Sequence, residues 1–172
     1  MIDAYGWFKG GNPTIKGETN DKQAKEKDGF DILEFGFGVE NIVNVGSSSG
    51  GLGSGRAVLE KLTISKFTDT ATCDMVKAAC TGAHIPEFHL SIRKGGADAA
   101  TSGGEFVHVQ MNNVVIESVK WAGADGDEAF KDEVVLAYAS IELKYKKQGF
   151  DGKLTDAGKF QWSQTQNEAV LS

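Results

Sequence analysis

The sequence has little proline and cysteine and no long hydrophobic run. Two prolines and two cysteines occur among 172 residues. Cys73 and Cys80 lie in a segment of helical character, about 10 Å apart at about 1.5 Å per residue, whereas a disulfide needs Cα atoms within about 7 Å. We therefore expect free thiols that pack in the core, in a reducing compartment. No apolar stretch approaches the roughly 20 residues of a membrane helix.

A positive net charge and a recognisable secretory signal are also absent. Lysine and arginine total 18 against 24 aspartates and glutamates, a net charge of −6. This balance disfavours nucleic acid and anionic membranes as partners, and we expect no membrane insertion. Residues 1–11 lack a basic start followed by an apolar run, so we expect no classical secretory signal. The length predicts one domain over residues 1–172.

Motifs of catalysis and of cofactor or metal binding are missing as well. The glycines of residues 51–56 have neither Walker nor dinucleotide-loop spacing. The acidic run 125–133 has Phe130 where a calcium loop requires glycine. The three histidines show no ligand spacing and are interpreted as surface or hydrogen-bonded residues. We expect no cofactor, no metal, no catalytic residue and no enzyme activity.

Alternation of apolar and polar residues, punctuated by 22 glycines, dominates what is present. Strands are predicted over residues 31–40, 57–67, 87–94, 105–111 and 133–146. In the last of these the apolar parity changes midway, which predicts a β-bulge near Ala139. The inward-facing residues of the middle strands are predicted to be Leu62, Ile64, Phe88, Leu90, Ile92, Val107, Val109 and Met111.

The segment 31–40 separates two kinds of residue most cleanly. The apolar face that we expect to pack inward consists of Leu33, Phe35, Phe37 and Val39. The opposite, nearly side-chain-free face consists of Glu34, Gly36 and Gly38. Glycine is a poor strand former, so this face predicts close approach of another group.

One helix is predicted over residues 73–81, with Thr72 as N-cap and Gly82 at its C-terminus. Its apolar stripe is predicted to be Val76, Ala79 and Cys80. Short strands with one helix predict a mainly β fold, an antiparallel β-barrel with one short α-helix packed alongside. Residues 160–166 alternate as an edge strand does, and we expect the C-terminal segment 147–172 to be only partly ordered.

Several segments, in their order and spacing, resemble the haemolysin-coregulated protein (Hcp) family, the inner-tube subunit of bacterial type VI secretion. The segments that carry the resemblance are KGET (16–19), DILEFGFGV (31–39), GSSSGGLGSGRAVLEKLTISKFTD (46–69), ACTGAHIPEFHLSIRKGG (79–96), VVIESV (114–119), VLAYASIELKY (135–145) and FQW (160–162).

The resemblance implies a homohexameric ring with a central channel. Such rings stack into a tube inside a contractile sheath, tipped by a valine–glycine repeat spike protein, and carry small effector proteins in the channel. It implies a location in the bacterial cytoplasm before firing, and then secretion outside the cell or into a target cell without a cleaved signal peptide. It also makes the face of Glu34, Gly36 and Gly38 the channel-facing one.

An unusually long loop separates two strand-like segments at residues 46–55. A tight hairpin needs only about two to five connecting residues, whereas this loop can project about 15 Å as a doubled-back arm. With the resemblance, we interpret it as a ring-stacking loop, with Leu52 as apolar anchor and Arg56 as charged contact. Its residues are Gly46, Ser47, Ser48, Ser49, Gly50, Gly51, Leu52, Gly53, Ser54, Gly55 and Arg56. The alternative is a flexible linker.

Two other functions remain open from the residues alone. A small-ligand-binding β-barrel would need a wide apolar pocket inside one subunit. An esterase or nuclease of unfamiliar type would need converging titratable groups, which the sequence does not reveal.

Overall fold

The computed structural model describes residues 2–44, 53–94, 104–126 and 129–171, which form eleven strands and two helices. The strands are β1 (Ile2–Lys9), β2 (Phe30–Ile32), β3 (Glu34–Gly36), β4 (Val39–Asn44), β5 (Gly53–Leu59), β6 (Leu62–Phe67), β7 (His84–Lys94), β8 (Glu105–Ala122), β9 (Lys131–Ala137), β10 (Ser140–Gln148) and β11 (Leu154–Ser163). The helices are α1 (Lys22–Lys25) and α2 (Thr70–Thr81).

Nine of these strands form one antiparallel sheet in the order β2-β1-β7-β8-β9-β6-β3, with β10 paired to β8 and β11 paired to β10. Only Leu33 separates β2 from β3, the two ends of this order, and its N–H donates to the carbonyl of Ser65 at 2.8 Å. The ends of the sheet are therefore joined, an arrangement that a closed barrel also has. The predicted mainly β, antiparallel architecture is confirmed.

The hydrophobic core lies on one face of this sheet. The fully buried strand residues include the predicted Leu62, Ile64, Phe88, Leu90 and Met111. Each belongs to a strand paired on both sides, where alternation places every second side chain inward. The remaining core is contributed by β1, β2, β5, β8, β9, β10 and α2, together with Ile15 and Tyr138 from connecting segments.

The alternation of apolar residues changes parity near Ala139 because β9 and β10 pair with different halves of strand β8. Its N-terminal half pairs with β10 and its C-terminal half with β9, on the side away from β7. The predicted strand 133–146 is therefore broken rather than bulged, because Tyr138 and Ala139 lie between β9 and β10. The N–H of Ala139 donates to Asn112 at 3.0 Å, and its carbonyl accepts from Gln164 at 2.8 Å. The location of the irregularity is as predicted.

Two predicted strands are wrong as continuous elements. Residues 31–40 contribute to β2, β3 and β4, and residues 57–67 to β5 and β6. Within the first segment, the prediction that every apolar residue packs inward is also wrong: Leu33 is 40%, Phe35 42% and Val39 61% exposed. Phe37 does pack against the core. β3 is a three-residue strand bonded only to β6 among the described residues, so little covers its apolar side.

Helix α2 begins earlier than predicted. Its N-cap is Asp69, whose side chain accepts from Ala71 N at 3.0 Å, while the Thr72 hydroxyl accepts from Asp69 N at 3.1 Å. Thr72 is therefore the third helical residue of a reciprocal capping box rather than the N-cap. Gly82 ends the helix in the left-handed region, at φ 61°, as its position predicted.

The core face of α2 also differs from the prediction. Ala71, Met75 and Ala78 are fully buried, at the i, i+4, i+7 spacing of one helix face. Val76 is 41% exposed, and Cys73 and Cys80 are free but exposed, so the expected core packing of the cysteines is wrong. Cys73 and Cys80 each follow a buried alanine by two residues, which places them on the opposite side of the helix.

Candidate assembly interface

The predicted ring-stacking loop belongs to a hairpin that stands apart from the main sheet. β4 and β5 pair only with each other among the described residues. The loop is shorter than predicted, because Gly53, Ser54, Gly55 and Arg56 belong to β5 and Asn44 is the Cα partner of Gly53. The predicted loop residues Gly46, Ser47, Ser48, Ser49, Gly50, Gly51 and Leu52 lie outside the described residues, as do the side chains of residues 53–56.

Apolar side chains are exposed at the base of this hairpin. Val39 is the partner of Leu59, and Val58 is the partner of Glu40 on the opposite face. Leu59 is buried and anchors the hairpin to the core, while both valines are exposed. The hairpin therefore presents apolar surface on its two faces.

The predicted channel-facing residues do not all share one surface. Glu34 is paired with Ser65 and Gly36 with Thr63, around the fully buried Ile64, so both point away from the core. Nothing lies within 4 Å of the position that a Cβ on Gly36 would occupy. Gly38 lies beyond the end of β3, where a Cβ would stand 2.6 Å from Glu60 Oε2. The structure brings Glu34 and Gly36 together and places Gly38 apart.

Glu34 and Gly36 belong to a larger outward surface, which we call the smooth face. Register across β3, β6, β9 and β8 assigns to it Glu34, Gly36, Thr63, Ser65, Ser118, Lys120, Glu133 and Val135. Most of these side chains are short. Of the three long ones, Lys120 and Glu133 form an exposed ion pair at 2.9 Å, and the third is Glu34.

The β10–β11 hairpin carries a second apolar surface. Leu143 is paired with Phe160, and Tyr145 lies two residues further along the same face. Tyr145 and Phe160 are exposed, and Phe150 at the hairpin tip is fully exposed. Among the residues that the structure describes, β11 pairs along its length only with β10, so its other edge is open. The alternation of residues 160–166 indicated this edge strand, although β11 begins earlier than predicted.

The opposite face of the same hairpin is held by a buried carboxylate. Glu142 accepts hydrogen bonds from Lys144 at 2.5 Å, Lys159 at 2.9 Å and Gln161 at 2.6 Å. Burial alone would raise the pKa of Glu142, but the bonds from Lys144 and Lys159 outweigh it and hold the pKa below its ordinary value. An ionised Glu142 therefore links β10 to Lys159 and Gln161 of β11.

The described residues contain no candidate metal centre. No group of three or more His, Cys, Asp or Glu side chains within them could hold a metal ion. His89 and His108 contact each other, a pairing that the sequence analysis missed. It follows from the register of β7 on β8, which the strand predictions alone do not specify.

A depression beside β10 and β11 has a volume of about 320 Å³ and is lined by Lys144, Asp156, Ala157, Gly158 and Lys159. It lies at the surface and is lined partly by charged side chains. The small-ligand alternative requires an apolar pocket inside the subunit, and this depression does not supply one. No helix within the described ranges is long and apolar enough to cross a membrane.

A comparison with family models decides the assignment. The model described as "Type VI secretion system effector, Hcp" matches residues 5–145, most of the chain. The chain belongs to the Hcp family. The members of this family are tube proteins of type VI secretion, which are secreted and self-assemble.

Individual relatives agree with this assignment. The protein hcp1 of Pseudomonas aeruginosa is 29% identical over 111 residues, which cover 63% of this chain and 66%, just under two thirds, of that relative. A structure described as a type six secretion system protein has a TM-score of 0.86 at 24% identity and covers 98% of this chain and 99% of that one. Hcp1 from Salmonella typhimurium has a TM-score of 0.73 at 19% identity, with 98% and 99% covered. The two structural similarities show the shared fold.

Proposed function

We propose that this Hcp chain forms homohexameric rings that stack into the expelled inner tube of a type VI secretion system. The observation that carries the proposal is the open edge of β11 beside Tyr145 and Phe160. An open, ten-residue strand edge invites pairing with another chain, and exposed aromatic side chains are enriched where protein interfaces form. A neighbouring subunit would pair with the open edge of β11 and bury the two aromatic side chains.

Stacking of one ring on the next is assigned to the β4–β5 hairpin. It is separate from the main sheet, and Val39 and Val58 give it apolar surface to bury. Leu52 serves as the apolar anchor and Arg56 as the charged contact at its base. One hairpin binds weakly, whereas six on a rigid ring raise the effective concentration of every later contact.

The smooth face lines the channel in this proposal. Gly36 has no side chain and those of Thr63 and Ser65 are short, which leaves room for a small effector protein. Glu34 repeated in six copies gives the wall negative charge. Gly38, which follows the end of β3 beside Glu60, stays a predicted channel-facing residue at the border of this wall.

The remaining partners follow from the role of an inner tube. A contractile sheath surrounds the stacked rings, and a valine–glycine repeat spike protein tips them. The chain resides in the bacterial cytoplasm before firing and leaves without a cleaved signal peptide. Its contribution is mechanical and protective rather than enzymatic.

Negative-stain electron microscopy of two charged variants tests the ring contact. Tyr145→Lys combined with Phe160→Lys should abolish annular particles and leave a folded monomer, because lysines on this face cannot be buried without a partner. Val76→Lys, at an equally exposed apolar residue on α2, is the matched control and should leave rings intact. Rings that survive the double substitution would overturn the assignment of this surface.

A further inference from the structure

Two histidines meet on the face of β1, β7 and β8 that points away from the hydrophobic core. His89 Nδ1 lies 3.1 Å from His108 Nε2. The His89 ring stacks on Trp7, with 5.0 Å between ring centroids and 7° between planes. His89 is buried and His108 is half-buried, so water does not freely solvate either ring. The proposed assembly surfaces use neither residue.

The neighbouring carboxylates determine where the protons of this pair reside. His89 Nε2 lies 2.9 Å from Glu87 Oε2. Burial alone would raise the pKa of Glu87, but hydrogen bonds from Lys9 and His89 hold it below its ordinary value, so Glu87 is ionised and can only accept. His89 therefore carries its proton on Nε2, and in its neutral form its Nδ1 accepts from His108 Nε2.

The pair can take up one proton easily but not two. With Nε2 of His108 protonated, its free nitrogen is Nδ1, which lies 3.8 Å from Glu105 Oε1. A first proton placed there gains a carboxylate neighbour. A second proton must go to His89 Nδ1, and two N–H groups would then face each other across 3.1 Å. The contact between the two rings cannot survive that second step.

Charged groups around the pair act on it in both directions, and burial gives the net bias toward the neutral form. Burial is the main cause that lowers the pKa of both histidines. Lys9 acts on His89 in the same direction, and Lys144 and Lys27 act on His108. The opposing carboxylates are Glu87 for His89, and Glu105 and Glu142 for His108. Both rings are therefore neutral near neutral pH.

The pair is linked through Trp7 to the segment 17–29, which contains α1. Lys27 Nζ lies over the Trp7 indole, 4.1 Å from the centroid. At the other end of α1, Asp21 accepts from Arg93 Nη1 at 2.8 Å. Positive charge on the two histidines would repel the Lys27 ammonium and weaken one of these two attachments.

We propose that the His89–His108 pair is an acid-sensitive clasp, which holds residues 17–29 against strand β1 while both rings are neutral and loosens this segment when both are charged. The clasp lies within a single chain and does not depend on ring formation.

Hydrogen exchange of the full chain at about pH 7.5 and about pH 5, corrected for intrinsic exchange, tests the clasp. The amides of Gly17, Thr19 and Gly29 are the reporters, because they donate within the segment to Asp28, Gly29 and Ala24. We expect their protection to fall about tenfold or more at the lower pH, while amides of the central strand β7 stay protected. Equal protection of the reporters at both pH values would overturn the proposal.

Three variants identify the groups responsible. His89→Gln combined with His108→Gln keeps hydrogen-bonding side chains without a titrating ring and should abolish the pH response. Lys27→Met removes the repelled cation and should reduce it. His84→Gln, at an exposed histidine outside the pair, is the control and should respond as the wild type does. A pH response that persists in the double glutamine variant contradicts the clasp.

If the double variant does not fold, imidazole nitrogen NMR of the wild type decides the question. Two protonation steps at separate pH values are expected, the second accompanied by shifts of residues 17–29. Independent titration of both rings near the ordinary value of 6.5 would overturn the proposal.

Discussion

Lys66 of β6 and Asp132 of β9 form an ion pair from which water is excluded. Lys66 Nζ lies 3.0 Å from Asp132 Oδ2, and both side chains are fully buried. The same ammonium contacts Asp69 Oδ1 at 2.7 Å and donates to the Phe67 carbonyl at 2.7 Å. Because Asp69 is the N-cap of α2, this cluster joins the helix to two strands of the sheet.

Removing one partner of the Lys66–Asp132 pair should lower the free energy of unfolding substantially. Lys66→Met leaves the Asp132 and Asp69 carboxylates without their cation, and removal of one partner of a buried pair typically costs about 3–5 kcal/mol. Urea unfolding at neutral pH measures the loss. Lys120→Met is the matched control, since Lys120 pairs with Glu133 at 2.9 Å on the exposed smooth face and should cost at most about 1 kcal/mol. Equal losses in the two variants would contradict the role assigned to burial.

Glu142→Gln should destabilise the β10–β11 hairpin in a pH-dependent manner. The variant loses charge-assisted bonds from Lys144 and Lys159, and since both lysines are half-exposed we expect a cost of about 1–2 kcal/mol at pH 7. The pKa of Glu142 is lowered in the folded chain, so its contribution is fully present above the ordinary value of 4.5 and is lost as pH falls through the folded value. Unfolding curves of both proteins should therefore converge below about pH 4.5, and a constant difference would contradict this account.

Removing the stacking loop should separate ring formation from tube growth. Asn44 and Gly53 are partners across the hairpin, so a two-residue Asn-Gly turn can replace residues 45–52 and close it without strain. Rings should persist and tube elongation, followed by electron microscopy, should stop. Leu52→Ser keeps the loop length and removes only the proposed anchor, so it should weaken elongation. Normal tubes from the shortened chain would show that the loop is a linker.

Gly36→Gln should block the channel and leave the ring intact. A Cβ at Gly36 meets open space, and replacing a strand glycine usually gains about 0.5–1 kcal/mol, so stability should not fall. Co-purification of a small effector with the rings should be lost. Val76→Gln places the same side chain at an exposed position of α2, away from both the smooth face and the proposed ring contact, and should retain cargo. Unchanged retention in Gly36→Gln would remove this residue from the channel wall.

The alternation of apolar and polar residues correctly predicted the buried face of strands that have neighbours on both sides. Ile64 of β6 and Leu90 of β7 are buried as expected, because pairing on both sides leaves only two faces for a side chain. The segment around Leu33 differs, since the chain changes partner there from β1 to β6. Such a change depends on distant strands and leaves no mark in the local pattern.

The errors in α2 have another origin. Asp69 and Thr72 are both good N-cap residues, and only the reciprocal bonds between them show which one occupies the cap. Starting the helix at Cys73 omitted Ala71 from the apolar stripe and rotated the predicted face toward Val76 and Cys80. The candidate site was predicted from glycine placement and family resemblance, whereas the His89–His108 pair needed the register between two strands.

Sedimentation equilibrium of the purified chain over a wide concentration range distinguishes a hexameric ring from a single subunit. We expect a species of six copies of 18.4 kDa, about 110 kDa, with higher multiples of that mass as rings stack. A particle that remains at the mass of one chain at the highest concentration would contradict it.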